Sequence, residues 1–244
     1  MPEIVDAPLA PVPEKASLLE DFIDIFFAPS KVFARRANSG FWLVTIIVTV
    51  LIGGLFIANS GVMEGIMNAE FNRSMAAAME KNPGLTPEQV SAGRGMMETF
   101  GKIAIFIMMP IIVLLLGLAI WAVGRLFGAV FGYTAACMIA AYAYIPRVLE
   151  SVLVAVQGLV VDTAALTGRY DLSLGVGRFI DPDTMSTGMM GLIGRIDVFT
   201  IWVTILIAIG ISVVGKIPRS TAMLAGAVIW VIGALPAVWS LVKG

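Results

Sequence analysis

Five stretches of this 244-residue chain carry no Asp, Glu, Lys or Arg. They run over 37–63, 103–124, 126–146, 198–215 and 220–242 and hold 27, 22, 21, 18 and 23 residues. A helix needs about 20 mostly apolar residues to cross the hydrocarbon of a bilayer. A membrane β-barrel would instead show strands of about 10 residues with alternating polarity, and these runs do not alternate. The pattern predicts an all-α polytopic membrane bundle of five transmembrane helices. Charged residues make up 14% of the chain, against about 25% in an ordinary soluble domain. A soluble globular enzyme is excluded. The net charge of −1 leaves no basic field for nucleic acid. Histidine is absent, and with it any imidazole metal ligand, base or pH switch. Cys137 is the single cysteine, so no disulfide framework forms within the chain.

The acidic N-terminus, with four prolines in residues 1–16, has no periodicity and is expected to be a disordered tail. It lacks the basic and apolar regions of a secretory signal, so the first span is expected to act as its own insertion signal. Order is expected from Ser17, which forms a capping box with Glu20. Leu18, Leu19, Phe22, Ile23 and Phe26 then recur at helical spacing, with Glu20, Asp21 and Asp24 on the other face. This predicts a cytosolic amphipathic helix, too short to span, lying on a surface with its acids outward. Pro29 ends it, and Ser30 starts a short second helix bearing Lys31, Arg35 and Arg36.

The spans are expected at about 40–59, 103–124, 126–146, 197–215 and 220–241. A helical hairpin over 60–102 lies between the first two. Its stripe of Met63, Met67, Phe71, Met75 and Met79 repeats every four residues. Asn82-Pro83-Gly84 is its turn, and Thr86 with Gln89 makes a second capping box with Pro87 at the first helical position. Pro110 is expected to break or kink the second span. A helix over 126–161 would run about 54 Å through hydrocarbon about 30 Å thick. The third span is therefore expected to break at Pro146, leaving a tilted or re-entrant half-helix over 148–161. Gly124, Gly128 and Gly132 bracket the turn between spans two and three, and are expected to pack those helices closely.

Candidate sites are few. Arg147, Glu150 and Gln157 lie beside or within apolar helix, and ionisable groups there are functional candidates. Arg147 and Glu150 are three apart and can pair on one face, and Asp197 at the outer end of span four can join them. The seam is either a site for a ligand or ion or an ion-paired anchor that closes the break at Pro146. Asp181 and Asp183 flank Pro182, but the further oxygen ligands of a Ca²⁺ loop are absent. Asp before Pro is also an ordinary helix cap. The Met stripe could offer thioethers to Cu(I), but it equally makes an apolar packing face. The Trp and Tyr residues mostly sit near span ends, as an aromatic belt does. There is no Ser/His or Cys/His set, no H-E-x-x-H, no P-loop and no nucleophile elbow. The sequence thus predicts no enzyme, no metal and no cofactor. Membrane lipids are the expected partners, with other membrane proteins as candidates.

Four blocks resemble the bacterial branch of the Yip1 family. They are Ile25 to Ala34 before the first span, Ala143-Tyr144-Ile145-Pro146, Phe179-Ile180-Asp181-Pro182, and Asp197 to Trp202. They occur in the family's order and cover roughly 22–241. The resemblance implies a five-span bundle with a cytosolic N-terminus, and no agreed activity. Eukaryotic members bind membrane-anchored small GTPases, but their Asp-Leu-Tyr-Gly-Pro motif and long cytosolic region are missing here, so that partner does not carry over. Two function classes remain. One is a non-catalytic membrane-organising or lipid-binding scaffold. The other is a small transporter, channel or lipid-translocating protein that uses the polar residues near Pro146.

Charge sets the expected orientation. Lys31, Arg35 and Arg36, then Arg125, then Lys216 and Arg219 fall on one side of a five-span chain, in stretches without acids. The N-terminus is expected in the cytoplasm and the C-terminus outside the inner (plasma) membrane. Cysteine labelling of introduced terminal residues is expected to place Met1 and Gly244 in opposite compartments. A shared compartment would mean an even number of crossings.

Overall fold

A computed structural model describes residues 16–243; the segment expected to be a disordered tail lies, apart from Ala16, outside the described residues. Among these the chain forms eleven α-helices, α1 Leu18–Phe27, α2 Pro29–Arg36, α3 Trp42–Ala58, α4 Ser60–Lys81, α5 Pro87–Leu126, α6 Tyr133–Ala143, α7 Pro146–Gly158, α8 Thr187–Ile193, α9 Val198–Gly215, α10 Arg219–Ile232 and α11 Leu235–Lys243. No strand joins them. Four segments are long and apolar enough to cross a membrane: Phe100–Leu126, Tyr133–Gly158, Val198–Gly215 and Arg219–Lys243. The helices α3 and α4 qualify only together, across an 84° bend, which raises the number to five. The chain is an all-α polytopic bundle.

The capping boxes read from the sequence are formed. The Ser17 hydroxyl accepts from the Glu20 amide at 3.2 Å, and the Glu20 carboxylate accepts from the Ser17 amide. Thr86 and Gln89 make the same reciprocal pair at 3.3 and 3.0 Å. The Glu88 carboxyl in that first turn is held below its usual range by its own backbone amide and by Thr86. That contribution to the helix start is present above the ordinary carboxylate range and lost as pH falls through the lowered value.

Prolines act more gently than the sequence implies. Helix α5 runs through Pro110 without interruption. The proline withholds one backbone donor, and the apolar turns on either side keep theirs. At Pro146 the helix is interrupted, but only over Tyr144 and Ile145. Ile145 stays right-handed helical, and the amides of Arg147 and Val148 bond three residues back, at 2.9 Å each. This is a tightened turn, and α6 and α7 act as one 26-residue segment. The excess length is removed at the ends instead, because α6 starts only at Tyr133 and α7 stops at Gly158. The sharp bend lies at α3 and α4.

The three glycines expected to pack spans two and three do separate jobs. Gly128 has φ +83°, a conformation only glycine adopts readily, and it turns the chain. A Cβ on Gly124 would meet the Phe131 ring at 2.7 Å, and one on Gly132 would meet nothing within 4 Å. The close approach of the two helices is at Gly117, where a Cβ would lie 2.5 Å from the Cys137 sulfur and 3.0 Å from its Cα. Around it every residue from Ala136 to Ala143 is buried.

Helix α1 departs most from expectation. Asp21 points inward beside Ile25, while Glu20 stays exposed and Leu18, Phe22 and Phe26 pack on the core. Asp21 is 0% exposed and accepts from Arg35 Nε at 2.6 Å, Arg36 Nε at 2.6 Å and the Tyr142 hydroxyl at 3.2 Å. Arg35 also pairs with Asp24 at 2.8 Å. Burial alone would lower the Arg35 guanidinium, but the hydrogen bonds and charges of Asp21 and Asp24 outweigh it and raise it. Tyr142 is the tenth residue of α6, so the carboxylate reaches well along the bundle. The outward face is apolar, with Leu19, Ile23 and Phe27 exposed by 73, 53 and 84%. An apolar outward face of this kind suits hydrocarbon, which accepts Leu and Phe and rejects unpaired charge.

Removing one partner of a buried ion pair costs about 3–5 kcal/mol. Asp21→Asn leaves Arg36 without a carboxylate and Arg35 with Asp24 alone. It is expected to destabilise the protein by about that much in reversible unfolding from detergent micelles, while Glu20→Gln, at the exposed cap, changes stability little.

Candidate functional site

Helix α7 begins at Pro146, which places Arg147 and Glu150 on one face one turn apart. Arg147 Nη1 lies 2.6 Å from Glu150 Oε2. The same guanidinium crosses to the next span. Its Nη2 donates to the Thr200 hydroxyl at 2.9 Å, and its Nη1 lies 4.0 Å from Asp197 Oδ1. Asp197 is 4% exposed and caps α9, accepting the amides of Phe199 at 2.9 Å and Thr200 at 3.1 Å through Oδ1. Its Oδ2 is buried without a partner. Three of the four residues read from the sequence as a polar seam therefore meet, and Arg147 is the bridge between α7 and α9.

Gln157 stands apart. Two turns further along α7, its Nε2 donates to the Leu172 carbonyl at 3.1 Å and its Oε1 accepts from Arg178 at 2.8 Å. It ties the polar loop after α7 to the end of that helix. Asp181 and Asp183 also have ordinary work. Asp181 accepts the Asp183 amide at 2.9 Å as a cap, and Asp183 pairs with Arg73 at 2.7 Å. Of the Met stripe, Met67, Phe71 and Met75 face α5, Met63 packs beside Leu166 and Leu172, and Met79 is exposed. A Cβ on Gly101 would meet the Met67 methyl at 2.6 Å, while Arg94 lies over the Phe71 ring and donates to Asn68 and Asn72 at 2.7 Å each.

The 84° bend between α3 and α4 opens a cavity of about 320 Å³ against α5 and α7. Its walls are mostly apolar, including Ile52, Phe56, Ile105 and Val154. Four polar side chains reach it, Asn59, Glu150, Ser151 and Arg169. Glu150 thus faces the Arg147 bridge and the cavity together. The sequence offered little sign of Asn59 or Arg169 as site residues. Asn59 reads as the end of a span, and Arg169 as one charge in a mixed polar loop. What joins them is the corner itself. There Gly158 is so close to α4 that a Cβ would sit 2.4 Å from Val62 Cγ2, and one on Gly65 would sit 2.8 Å from the Thr163 carbonyl. Small residues at these contacts let the helix backbones approach closely.

Arg195 is a further polar residue that the sequence did not single out. It stacks on Trp230, with its guanidinium carbon 5.1 Å from the ring centroid, and it donates to the carbonyls of Trp230 and Gly233, the latter at 2.9 Å. It closes the end of α10 where the last span is interrupted. Burial, and after it the charge of Arg147, lowers its pKa.

Arg147 serves three acceptors and Glu150 one donor. Arg147→Met is expected to cost about 2 kcal/mol of stability in detergent unfolding, because it leaves Glu150 and the Thr200 hydroxyl without their donor. Glu150→Gln keeps an acceptor for Arg147 and is expected to cost well under half of that. Equal losses would mean that the link to α9 contributes nothing.

Comparison with curated proteins and with solved structures gives no match. The model of the Yip1 domain matches residues 23–240, nearly the whole chain. That interval takes in the inward-facing Asp21 helix from its sixth residue, the α3–α4 corner, the Arg147 bridge and all candidate spans up to the last three residues. This multi-pass membrane protein belongs to the Yip1 family.

Proposed function

We propose that this protein is a non-catalytic membrane organiser that holds a lipid in the cavity at the α3–α4 corner. It sits in the inner (plasma) membrane, with its N-terminus cytoplasmic and its C-terminus outside. The observation that carries the reading is the cavity itself. A space of about 320 Å³, apolar along its walls and polar at a few points, is the form of a site for an amphiphile. A second, almost wholly apolar groove of about 560 Å³ runs between α1 and α7, lined by Phe22, Phe26, Val148 and Trp202. Together with the outward Leu19, Ile23 and Phe27, it gives the N-terminal helices a broad lipid-contact surface.

The orientation draws on the basic residues. Arg219 at the start of α10 comes to 3.5 Å from Ser30 at the start of α2, so two of the basic stretches share one end of the bundle. By the positive-inside rule that end is cytoplasmic. The cavity then lies toward the outer side.

Transport or lipid translocation is the second reading, and one observation favours it: the cavity reaches Glu150. Against it stands the tightly packed half of the bundle, where Ala136 to Ala143 are at most 1% exposed and Gly117 touches Cys137. Native mass spectrometry of the detergent-extracted protein is expected to show one retained phospholipid. Val154→Phe, which fills the cavity, is expected to lower its occupancy at least threefold. Retention that does not change with Val154→Phe would place the lipid elsewhere, and no retention would end the reading.

A further inference from the structure

We infer that the corner cavity selects a phospholipid whose headgroup joins a primary ammonium to a phosphate, a refinement that rests on the lipid-binding reading above. The cavity wall brings together a carboxylate, a guanidinium and a buried amide. Glu150 Oε2 is held by Arg147 at 2.6 Å, and the same carboxylate lines the cavity. A carboxylate oxygen facing a cavity wants a donor. Arg169 supplies the opposite need. Its Nε lies 3.3 Å from Glu70, its amide also bonds Glu70 at 3.2 Å, and its guanidinium carbon lies 5.2 Å from the Tyr170 ring centroid, with the side chain 64% exposed at the cavity. A guanidinium fits a phosphate by paired hydrogen bonds. Asn59 adds a buried Nδ2 with no partner, a donor suited to a phosphate or ester oxygen.

The cavity therefore presents one acceptor with negative charge and two donors, one of them cationic. An anionic headgroup would satisfy Arg169 and Asn59 but face Glu150. A cation alone would satisfy Glu150 but face Arg169. A zwitterion satisfies both. Among zwitterions, a primary ammonium brings three N–H donors to Glu150, whereas a trimethylammonium brings none. The apolar walls from α3, α5 and α7 take part of an acyl chain, which fixes the ligand as a lipid rather than the free headgroup.

The test is a lipid titration of the delipidated full chain, read by native mass spectrometry. The probes are dioleoyl phosphatidylethanolamine, phosphatidylcholine and phosphatidylglycerol. The ethanolamine lipid is expected to bind at least fivefold tighter than either of the others. Glu150→Gln is expected to bring ethanolamine and choline lipids within twofold of each other. Arg169→Gln, at a largely exposed position, is expected to weaken the ethanolamine and glycerol lipids alike. The wild-type headgroup series decides the matter even if a variant misfolds. Equal binding of all three lipids overturns this inference and leaves the lipid-binding reading standing. Binding of none overturns both.

Discussion

Hydrocarbon offers no hydrogen bonds, and the arrangement of this molecule follows from that lack. Every charge that enters the bundle has to bring its partner or find one inside. Asp21 finds Arg35, Arg36 and Tyr142. Arg147 finds Glu150, Thr200 and Asp197. Each cluster joins parts of the chain that the spans alone would leave independent. The first fastens the two N-terminal helices to α6, and the second fastens α7 to α9. Apolar contact holds a helix against its neighbours in water, but in lipid the solvent is as apolar as the helix. Close backbone packing, as at Gly117, and internal polar links such as these two therefore carry a larger part of the specificity.

The same constraint explains what the sequence could and could not tell. Span length is a one-dimensional property, so the charge-free runs were readable by counting. Local caps were readable for the same reason, since Ser17 with Glu20, Thr86 with Gln89, and Asp197 each act within a few residues. The direction of a helix face is not one-dimensional. The apolar and acidic residues of α1 alternate as they would on a soluble surface helix, and only the position of Arg35, Arg36 and Tyr142 shows that Asp21 turns inward. Of the site, the Arg147–Glu150 pair was legible from spacing and Asp197 from its place at a span end. Gln157 shared their polarity but not their location. Asn59 and Arg169 were invisible because the element that brings them together is a bend between two helices, and the bend depends on close contacts from residues about a hundred positions away in the chain.

Prolines illustrate the same distinction. Pro110 and Pro146 look equal in sequence, each set in an apolar run. One lies in an unbroken 40-residue helix, while the other tightens a single turn and resets the start of α7. The difference has a consequence for the site. Because Pro146 occupies the first position of α7, Arg147 and Glu150 fall in its opening turns, beside the Asp197 cap that starts α9. A helix continuous from Tyr133 would present the same residues at a different rotation. The interruption is thus small in angle and large in effect.

Glu150 connects the two themes. Through Oε2 it belongs to the ionic link between α7 and α9, and through its exposure to the cavity it belongs to the corner. A residue that only closed a helix break would be enclosed by protein on every side, and a residue that only met a ligand would not be bonded to the bridge. Arg147 is shared among Glu150, Thr200 and Asp197. Any weakening of its pair with Glu150 leaves Arg147 with Asp197, whose Oδ2 is buried and has no partner. The bridge therefore has a second carboxylate already beside it.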